Sequence, residues 1–262
     1  MNRQPATSLA GSQAAAAYPK VTIFGVPVSR MNMRNTVSYL ANAIEQRKPH
    51  QVITANPIMV MAALDNPAYM AMMKRAELIV PDGTGVVWAA NYVGQPVAER
   101  VAGFDLMHEL MKIGEPKGWK VYALGASPEV IEAAAARIKQ LYPGIHIVGV
   151  RDGYFGAEQD AQVIKQIRQA NPDILLVGRS ADTQEPWIDR YKQELGVPVM
   201  MGVGGSFDVL SGKLKRAPVL FRKLRLEWFY RLLQEPWRYK RMLTLPKFAV
   251  KVIREKEKVT KS

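Results

Sequence analysis

Short β-rich runs alternate with longer helical stretches through most of the chain, and this alternation limits the fold more than any other feature of the sequence. The β-rich runs are VTIFGVPVS (21–29), QVITAN (51–56), ELIVPDG (77–83), WKVYALGA (119–126), IHIVGVRDG (145–153), DILLVGR (173–179) and VPVMMGVGG (197–205). Helices are predicted between them, over residues 32–47, 58–74, 84–93, 104–114, 128–141, 158–170 and 184–195. Strands that alternate with helices form a largely parallel sheet covered on both faces. The sequence therefore predicts an α/β fold with a Rossmann-like, mostly parallel sheet flanked by helices.

The pattern changes after Gly212, where predicted strands stop and cations alternate with aromatic and aliphatic residues. Residues 213–262 contain 16 Lys/Arg and 4 Asp/Glu, a net charge of +12, whereas residues 1–212 contain 20 and 19 and carry only +1. We therefore divide the chain into a flexible N-terminal tail (1–19), an α/β domain (20–212) and a small, basic, helical C-terminal appendage (213–262).

The appendage opens with apolar residues at helical spacing, namely Leu220, Leu224, Trp228 and Leu232. Cations fill much of the remaining circumference, which predicts an amphipathic basic helix. Such a helix either docks onto the α/β domain with its charged face in water, or lies in the headgroup layer of a membrane. The aromatic residues among the cations favour a membrane surface with anionic lipids. Pro236 is expected to divide the appendage into two helical pieces.

Composition argues against several kinds of site. The chain has no cysteine, so disulfides and thiolate metal sites are excluded, and its three histidines (His50, His108 and His146) lack the spacing of metal ligands. No apolar run reaches the roughly 20 residues that span a bilayer. The first residues are too polar for a signal peptide. We therefore expect a cytoplasmic protein that meets a membrane only at its surface.

Polar side chains lie at the ends of three of the predicted strands, where an apolar core has no use for them: Thr54, Asn56, Asp82, Gln184 and Glu185. Ligands of open parallel sheets bind beyond the carboxyl ends of the strands, so these residues can converge on one cleft. Asn56 and Asp82, taken singly, are also explained as a helix cap and a turn residue. Glycine-rich turns at 82–85 and 202–207 let the backbone approach an anion, but neither fits a dinucleotide or P-loop pattern.

Several spaced motifs together resemble a known family. They are TANP (54–57), PDGTGVVWA (81–89), ERVAGFDL (99–106), QEPW (184–187), GVGGSFDVLSG (202–212) and RAP (216–218). Their residues and order resemble the WecG/TagA/CpsF family of bacterial glycosyltransferases, from about Val21 to about Met242. One stretch, GRSADTQE (178–185), has Arg179 and Asp182 where related sequences usually have a Gly-x-Pro-like turn. The departure implies that donor preference can differ.

The resemblance implies an inverting, metal-independent transferase that needs no cofactor, with residues 20–212 as the catalytic domain. Its donor would be a UDP-sugar carrying N-acetylmannosamine, its uronic acid or glucose. Its acceptor would be a polyprenyl-diphosphate-linked saccharide, extended during polysaccharide synthesis by a peripheral protein on the inner face of the cell membrane. The sequence also has no D-x-D motif for a metal-bound diphosphate. Oligomeric state is left open, since apolar helices are compatible with a homo-oligomer.

Roles for particular residues follow from the same resemblance. Asp82 would be the general base, taking the proton of the acceptor hydroxyl as that oxygen attacks the anomeric carbon. A sugar hydroxyl is a poor nucleophile, and a positioned base typically accelerates such a step by about 10²- to 10⁴-fold. Thr54 and Asn56 would hold sugar hydroxyls. Gln184 would hydrogen-bond the donor or acceptor, and Arg100 would pair with a phosphate or an acidic sugar.

The appendage also carries residues that match the family. The resemblance implies that Arg231, Arg238 and Arg241 reach into the active site and grip the diphosphate of the acceptor. Forked guanidinium donors suit a phosphate better than a lysine ammonium does. A site completed by the appendage would couple catalysis to the presence of the lipid substrate.

Two other functions fit parts of the sequence. The basic appendage with its aromatic residues has the composition of a nucleic-acid-binding surface, although it contains no recognised nucleic-acid motif and we expect no nucleic acid as a partner. A different nucleotide-binding enzyme on the same α/β fold also stays open, because a fold does not determine function.

Overall fold

The computed structural model describes residues 18–261, and most of its strands form one six-stranded sheet. The predicted N-terminal tail lies outside the described residues except for Tyr18 and Pro19. The strands are β1 (Lys20–Ile23), β2 (Val26–Ser29), β3 (His50–Ala55), β4 (Leu78–Pro81), β5 (Lys120–Gly125), β6 (His146–Arg151), β7 (Ile174–Gly178) and β8 (Val199–Gly202).

Helices cover both faces of this sheet. They are α1 (Met33–Glu45), α2 (Pro57–Asp65), α3 (Pro67–Arg75), α4 (Thr84–Tyr92), α5 (Gly103–Gly114), α6 (Pro128–Leu141), α7 (Asp160–Ala170), α8 (Ala181–Leu195), α9 (Ser206–Leu210), α10 (Val219–Lys223), α11 (Glu227–Gln234), α12 (Tyr239–Met242), α13 (Thr244–Arg254) and α14 (Lys256–Val259). Short 3-10 turns occur at Glu115–Lys117, Ala157–Gln159 and Pro236–Arg238. Helices α1, α5, α6 and α9 pack on one face, whereas α2, α3, α4, α7 and α8 pack on the other.

The six strands run parallel in the order β4-β3-β8-β7-β5-β6. Strands β4, β7 and β8 are buried along their whole length, as expected for strands covered on both faces. The predicted Rossmann-like α/β fold is confirmed. Because β4, β3, β8 and β7 are consecutive neighbours in the sheet, the turns that follow these strands meet at one edge of it.

Strands β1 and β2 form an antiparallel hairpin that is separate from the main sheet. Phe24 (φ 48°) and Gly25 (φ 83°) occupy its turn, and a two-residue type I′ turn needs positive φ at both positions. The β-rich run predicted at 21–29 is thus two strands. The N–H of Phe24 donates to the carbonyl of Val259 at 2.7 Å, which ties the hairpin to the last helix.

The single helix predicted over residues 58–74 is wrong, because two helices, α2 and α3, meet there at Asn66 and Pro67. The Oδ1 of Asn66 accepts hydrogen bonds from the N–H groups of Ala68 (3.0 Å) and Tyr69 (3.1 Å). This is the cap of a new helix. Proline is also favoured as the first residue of a helix, since its missing N–H is not needed there.

The continuous amphipathic helix predicted from Leu220 to Leu232 is also wrong. It is divided into α10 and α11 by Arg225, which has a φ of 60°. The N–H of Leu226 donates to the carbonyl of Phe221 at 2.8 Å, the bond that closes a helix around a left-handed residue. Glycine usually occupies that position. Because this chain has arginine there, the sequence gives no signal that a helix ends.

The C-terminal helices are not uniformly peripheral. Phe248, Val252 and Val259 are almost completely buried, in a cluster with the hairpin, α2 and α4. By contrast, α10, α11 and α12 contain no buried residue. The last part of the chain is therefore built into the core, while the middle of the appendage covers the edge of the sheet. Among residues 18–261, no helix is both long enough and apolar enough to cross a membrane.

Candidate active site

Asp82 follows directly on β4, beside the end of β3. The N–H groups of Asp82 (3.1 Å) and Gly83 (3.0 Å) both donate to the carbonyl of Ala55. A Cβ atom at Gly83 would lie 2.6 Å from the Cδ of Pro57, so the two strand ends approach each other more closely than another residue type would permit. These contacts fix the backbone of Asp82 at the carboxyl edge of the sheet.

Thr54 and Asn56 lie at the same edge, at the end of β3. The Oδ1 of Asn56 accepts hydrogen bonds from the N–H groups of Ile58 (3.0 Å) and Met59 (3.2 Å), which confirms the predicted helix cap. The residue also lines the cleft, with its Nδ2 as the remaining donor group. Thr54 packs against Gly103, where a Cβ would come within 2.8 Å of its methyl group.

Arg100 connects Asp82 with the appendage. Its Nη2 lies 3.1 Å from Oδ1 of Asp82, its Nε donates to the Asp82 carbonyl, and its Nη1 donates to the carboxylate of Glu227 on α11. The three side chains are 26–27% exposed. The sequence indicated a phosphate or an acidic sugar as the partner of Arg100. In the structure its partners are two carboxylates, and its role toward a ligand stays a prediction.

Burial raises the pKa of Asp82 above its ordinary value. The Arg100 cation and the hydrogen bond from the N–H of Gly103 oppose this rise without cancelling it, and the charge of Glu227 adds to it. A raised pKa makes the ionised carboxylate a stronger base. The environment of Asp82 is therefore suited to proton transfer.

Gln184 links the turns that follow β7 and β8. Its Oε1 accepts hydrogen bonds from the N–H groups of Arg179 (3.2 Å) and Gly204 (3.2 Å), and its Nε2 donates to Glu185 (2.9 Å). Although it lines the cleft, the side chain is nearly buried and its amide already contacts protein groups. Its predicted contact with a substrate stays a prediction.

Glu185 lies under the wall of the cleft, contrary to the expectation that it faces the cleft. It is completely buried, and its carboxylate accepts hydrogen bonds from the Nε2 atoms of Gln51 (3.1 Å) and Gln184 (2.9 Å). Gly202 passes so close that a Cβ there would lie 2.0 Å from Oε1 of Glu185. Burial raises the pKa of Glu185 to about 7, although the two amide hydrogen bonds oppose the rise.

Arg231, Arg238 and Arg241 line the same cleft, and two of them pair with Glu235. The Nε of Arg231 and the Nη1 of Arg238 each donate to Oε2 of Glu235 at 2.9 Å. Arg231 also reaches the turn after β8, since a Cβ at Gly205 would lie 2.1 Å from its Nη2. Burial and the nearby charges of Arg231 and Arg241 lower the pKa of Arg238. With Arg241 nearby, the two arginines paired with Glu235 leave excess positive charge at the cleft, which suits an anion.

Three adjoining cavities meet at the cleft, and Asp82 and Arg231 line all of them. The first, of about 250 Å³, lies at the start of α5. The second, of about 620 Å³, is polar and runs along the turns after β5, β6, β7 and β8. The third, of about 390 Å³, is mostly apolar and lies between α4 and the appendage.

The structure brings every residue to which the resemblance assigned a role to these cavities. They are Thr54, Asn56, Asp82, Arg100, Gln184, Arg231, Arg238 and Arg241. Their individual roles stay predictions. Within residues 18–261, no group of three or more His, Asp or Glu side chains is arranged to hold a metal ion.

Glu227 and Glu235, which pair with arginines predicted for the site, were not predicted from the sequence. Glu235 lies four positions after Arg231 and three before Arg238, a helical spacing that could have indicated the pairing. Glu227 pairs with Arg100 across 127 positions of the sequence. No local pattern signals such a contact.

Comparison with known proteins shows what the chain is similar to. Residues 21–262 match the profile described as the glycosyl transferase WecG/TagA/CpsF family. A protein of Bacillus subtilis (strain 168) is 37% identical over 237 residues, covering 90% of this chain and 92% of the relative. A protein of Staphylococcus aureus (strain MW2) is 39% identical over 245 residues, covering 93% and 96%. Both are named N-acetylglucosaminyldiphosphoundecaprenol N-acetyl-beta-D-mannosaminyltransferase.

Proposed function

Since the chain belongs to the WecG/TagA/CpsF family, a family of glycosyltransferases, we propose that it transfers N-acetylmannosamine from UDP to an N-acetylglucosaminyl-diphosphopolyprenol. The names of the relatives favour this sugar over the uronic acid and glucose that the sequence left open. The observation that carries the proposal is the position of Asp82, where a polar cavity meets an apolar cavity lined by arginines.

The polar cavity is the proposed donor site. Its volume is within the roughly 300–1,000 Å³ typical of small-molecule pockets. The guanidinium of Arg179 lies 4.6 Å from the ring centre of Phe155, and the neighbouring Tyr154 is 76% exposed. A cation and an accessible aromatic ring at this end suit a nucleotide base and its phosphates. Thr54 and Asn56 then face the sugar.

The arginine cluster is the proposed site for the acceptor diphosphate. Arg231, Arg238 and Arg241 border both the polar and the apolar cavities, so an anion held there lies beside Asp82. Forked N–H donors form bidentate hydrogen bonds with phosphate oxygens. The first sugar of the acceptor, which is attached to the diphosphate, would then lie within reach of the proposed base.

In the proposed reaction Asp82 is the general base. Its carboxylate takes the proton of an acceptor hydroxyl as that oxygen bonds to the anomeric carbon of the donor. The bond from this carbon to UDP breaks at the same time, UDP leaves with the electron pair, and the anomeric centre is inverted. Arg100 holds the carboxylate in place and favours its ionised form. The guanidinium of Arg179, which lines the polar cavity, would stabilise charge on the departing diphosphate.

The middle of the appendage is the proposed membrane contact. Large apolar side chains are exposed there among lysines and arginines, including Leu220 (64%), Leu224 (59%), Trp237 (70%) and Leu243 (55%). Exposed apolar surface of this kind marks an interaction site, and aromatic rings with cations suit a headgroup layer. The protein would thus act as a peripheral protein on the inner face of the cell membrane, where its lipid acceptor lies.

A transfer assay tests the reaction. Radiolabelled UDP-N-acetylmannosamine, its uronic acid and UDP-glucose are each offered with the diphosphate-linked N-acetylglucosamine lipid, using the intact chain and Asp82→Asn. We expect transfer of N-acetylmannosamine and a loss of about 10²- to 10⁴-fold in the variant, with donor affinity retained. Asp65→Asn is the matched control, since Asp65 is exposed at the end of α2.

Two outcomes would contradict the proposal. If Asp82→Asn kept full turnover, Asp82 would have no part in the chemistry. If the intact chain transferred none of the three sugars and instead bound nucleic acid tightly and in a salt-dependent manner, the appendage would be a nucleic-acid surface.

The membrane contact needs its own test, and deletion of residues 213–262 would be unsuitable because it would remove Phe248 and Val252 from the core. Flotation with anionic vesicles is measured instead for Leu220→Asp. We expect weaker binding than for Leu141→Asp, a matched change of an exposed leucine in the α/β domain. Equal binding of both variants would count against the proposed surface.

A further inference from the structure

The apolar cavity beside Asp82 has two walls from different parts of the chain. Ile58 on α2 and Trp88 on α4 form one wall. Trp228, Leu232 and Leu245, from α11 and α13, form the facing wall. None of these five residues is buried, and Trp228 is 43% exposed. The cavity is therefore an open groove between the α/β domain and the appendage.

The floor of this groove is closely packed. A Cβ atom at Gly85 would lie 2.6 Å from the Cγ of Pro57 and 3.7 Å from the ring of Phe248. Phe248 is itself only 1% exposed. A larger side chain at position 85 would have to displace one of these groups, so glycine keeps the floor flat and the groove open above it.

One end of the groove is cationic. Arg231, Arg238 and Arg241 line both the groove and the polar cavity, so they mark the boundary between the two. Asp82 and Asn56 lie at the same boundary. A ligand that extends from this boundary along the groove needs an anionic group joined to an apolar chain. A UDP-sugar has the anionic group but no such chain.

We propose that this groove binds the first isoprene units of the acceptor lipid, next to a diphosphate held by Arg231, Arg238 and Arg241. The inference rests on the proposed function, because it takes the diphosphate to be that of a polyprenyl acceptor. It adds a site for the hydrocarbon itself. The enzyme then distinguishes its acceptor by the lipid chain as well as by the sugar and the phosphates.

The size and the outlet of the groove fit part of such a chain. Its volume of about 390 Å³ is near the lower end of the range for small-molecule pockets, which gives room for a few isoprene units. The rest of a polyprenyl chain has to continue outside. Leu224 (59% exposed) and Leu243 (55% exposed) lie near Trp228 and Met242 in sequence, on the appendage surface proposed to contact the membrane. The chain would pass from the groove into the bilayer there.

Binding of short prenyl diphosphates in solution tests the groove without membranes and without turnover. Farnesyl diphosphate has three isoprene units and dimethylallyl diphosphate has one, while their phosphates are the same. Calorimetry on the full chain should give an affinity at least about tenfold higher for the farnesyl compound, since buried CH₂ groups add to affinity.

A matched pair of variants locates the effect on α11. Leu232 lines the groove, whereas its neighbour Leu233 is 58% exposed and does not line it. Leu232→Asn should weaken farnesyl diphosphate binding by about tenfold and leave dimethylallyl diphosphate within about twofold. Leu233→Asn should change neither affinity.

The groove is disproved if the intact chain binds both compounds equally, or if Leu232→Asn weakens both to the same extent. The transfer assay distinguishes this failure from failure of the proposed function. If the protein transfers sugar but does not depend on the length of the lipid chain, the proposed lipid groove is wrong and the proposed reaction still stands. If the protein binds the longer prenyl diphosphate more tightly but transfers no sugar, the groove is a prenyl diphosphate site and the proposed reaction is wrong.

Discussion

The Nη2 atom of Arg100 lies 3.1 Å from Oδ1 of Asp82, and the same guanidinium donates to Glu227 on α11. The proposed base and the appendage thus share one cation. Because the pKa of a carboxyl group depends on nearby charges, the position of α11 affects the ionisation of Asp82. Substitutions at Arg100 and at Glu227 are therefore expected to move the pH dependence of kcat/KM in opposite directions.

Arg100→Gln should move the acidic limb of the kcat/KM profile to higher pH. Burial already raises the pKa of Asp82, and the Arg100 cation opposes that rise, so its loss raises the pKa further. The base must be ionised, and activity therefore falls as the pH drops through this pKa. At neutral pH we expect a loss of about ten- to a hundredfold. Arg47→Gln, which breaks the surface pair with Asp173, should leave the profile unchanged.

Glu227→Gln should move the same limb to lower pH. The negative charge of Glu227 raises the pKa of Asp82, and without it Asp82 ionises more readily. A rate profile over the acidic range checks this, with Glu255→Gln as the control, because Glu255 pairs with Lys251 on α13 at 2.8 Å. A shift to higher pH in Glu227→Gln would mean that Glu227 acts mainly by positioning Arg100.

The strand ends explain why much of the cleft was predictable. Asp82 and Asn56 follow buried strands, and parallel strands bring their carboxyl ends to one edge. Local patterns do not specify contacts between distant segments, however. The contact of Glu227 with Arg100 depends on how the appendage folds back over the sheet. The burial of Glu185 depends on the close passage of Gly202, which the polar sequence around Glu185 does not indicate.

Helix ends show the same limit. Asn66 and Pro67 are ordinary signals for the start of a helix, so the break between α2 and α3 could have been predicted. The break between α10 and α11 could not, because Arg225 adopts a conformation usually taken by glycine. The local sequence does not indicate that conformation.

Arg238→Lys should raise the KM for the diphosphate-linked acceptor by about tenfold. Lysine keeps the charge but loses the forked donors that pair with two phosphate oxygens. Steady-state kinetics with both substrates varied measures the effect, and the donor KM should stay within about twofold. Arg254→Lys, an exposed position on α13, is the matched control. An effect confined to the donor KM would assign Arg238 to the UDP-sugar instead.

Glu185→Gln should remove a pH dependence from the stability of the protein. The pKa of Glu185 rises from an ordinary value of 4.5 to about 7 on folding, so the native state binds this proton more tightly than the unfolded chain does. The associated stabilisation is complete below about pH 4.5 and is lost as the pH rises through about 7. Between pH 5 and pH 8 the intact protein should lose roughly 2 to 3 kcal/mol of unfolding free energy from this group, at about 1.4 kcal/mol per pH unit.

Urea unfolding at the two pH values measures this loss, which the Gln variant should not show. Glu194→Gln is the matched control, since Glu194 is exposed on the same helix, and it should behave as the intact protein does. Because Glu185 supports Gln184, which holds the turns at Arg179 and Gly204, ionisation of Glu185 should also loosen the wall of the polar cavity. The same loss of stability in Glu185→Gln and the intact protein would show that Glu185 is ionised throughout this range.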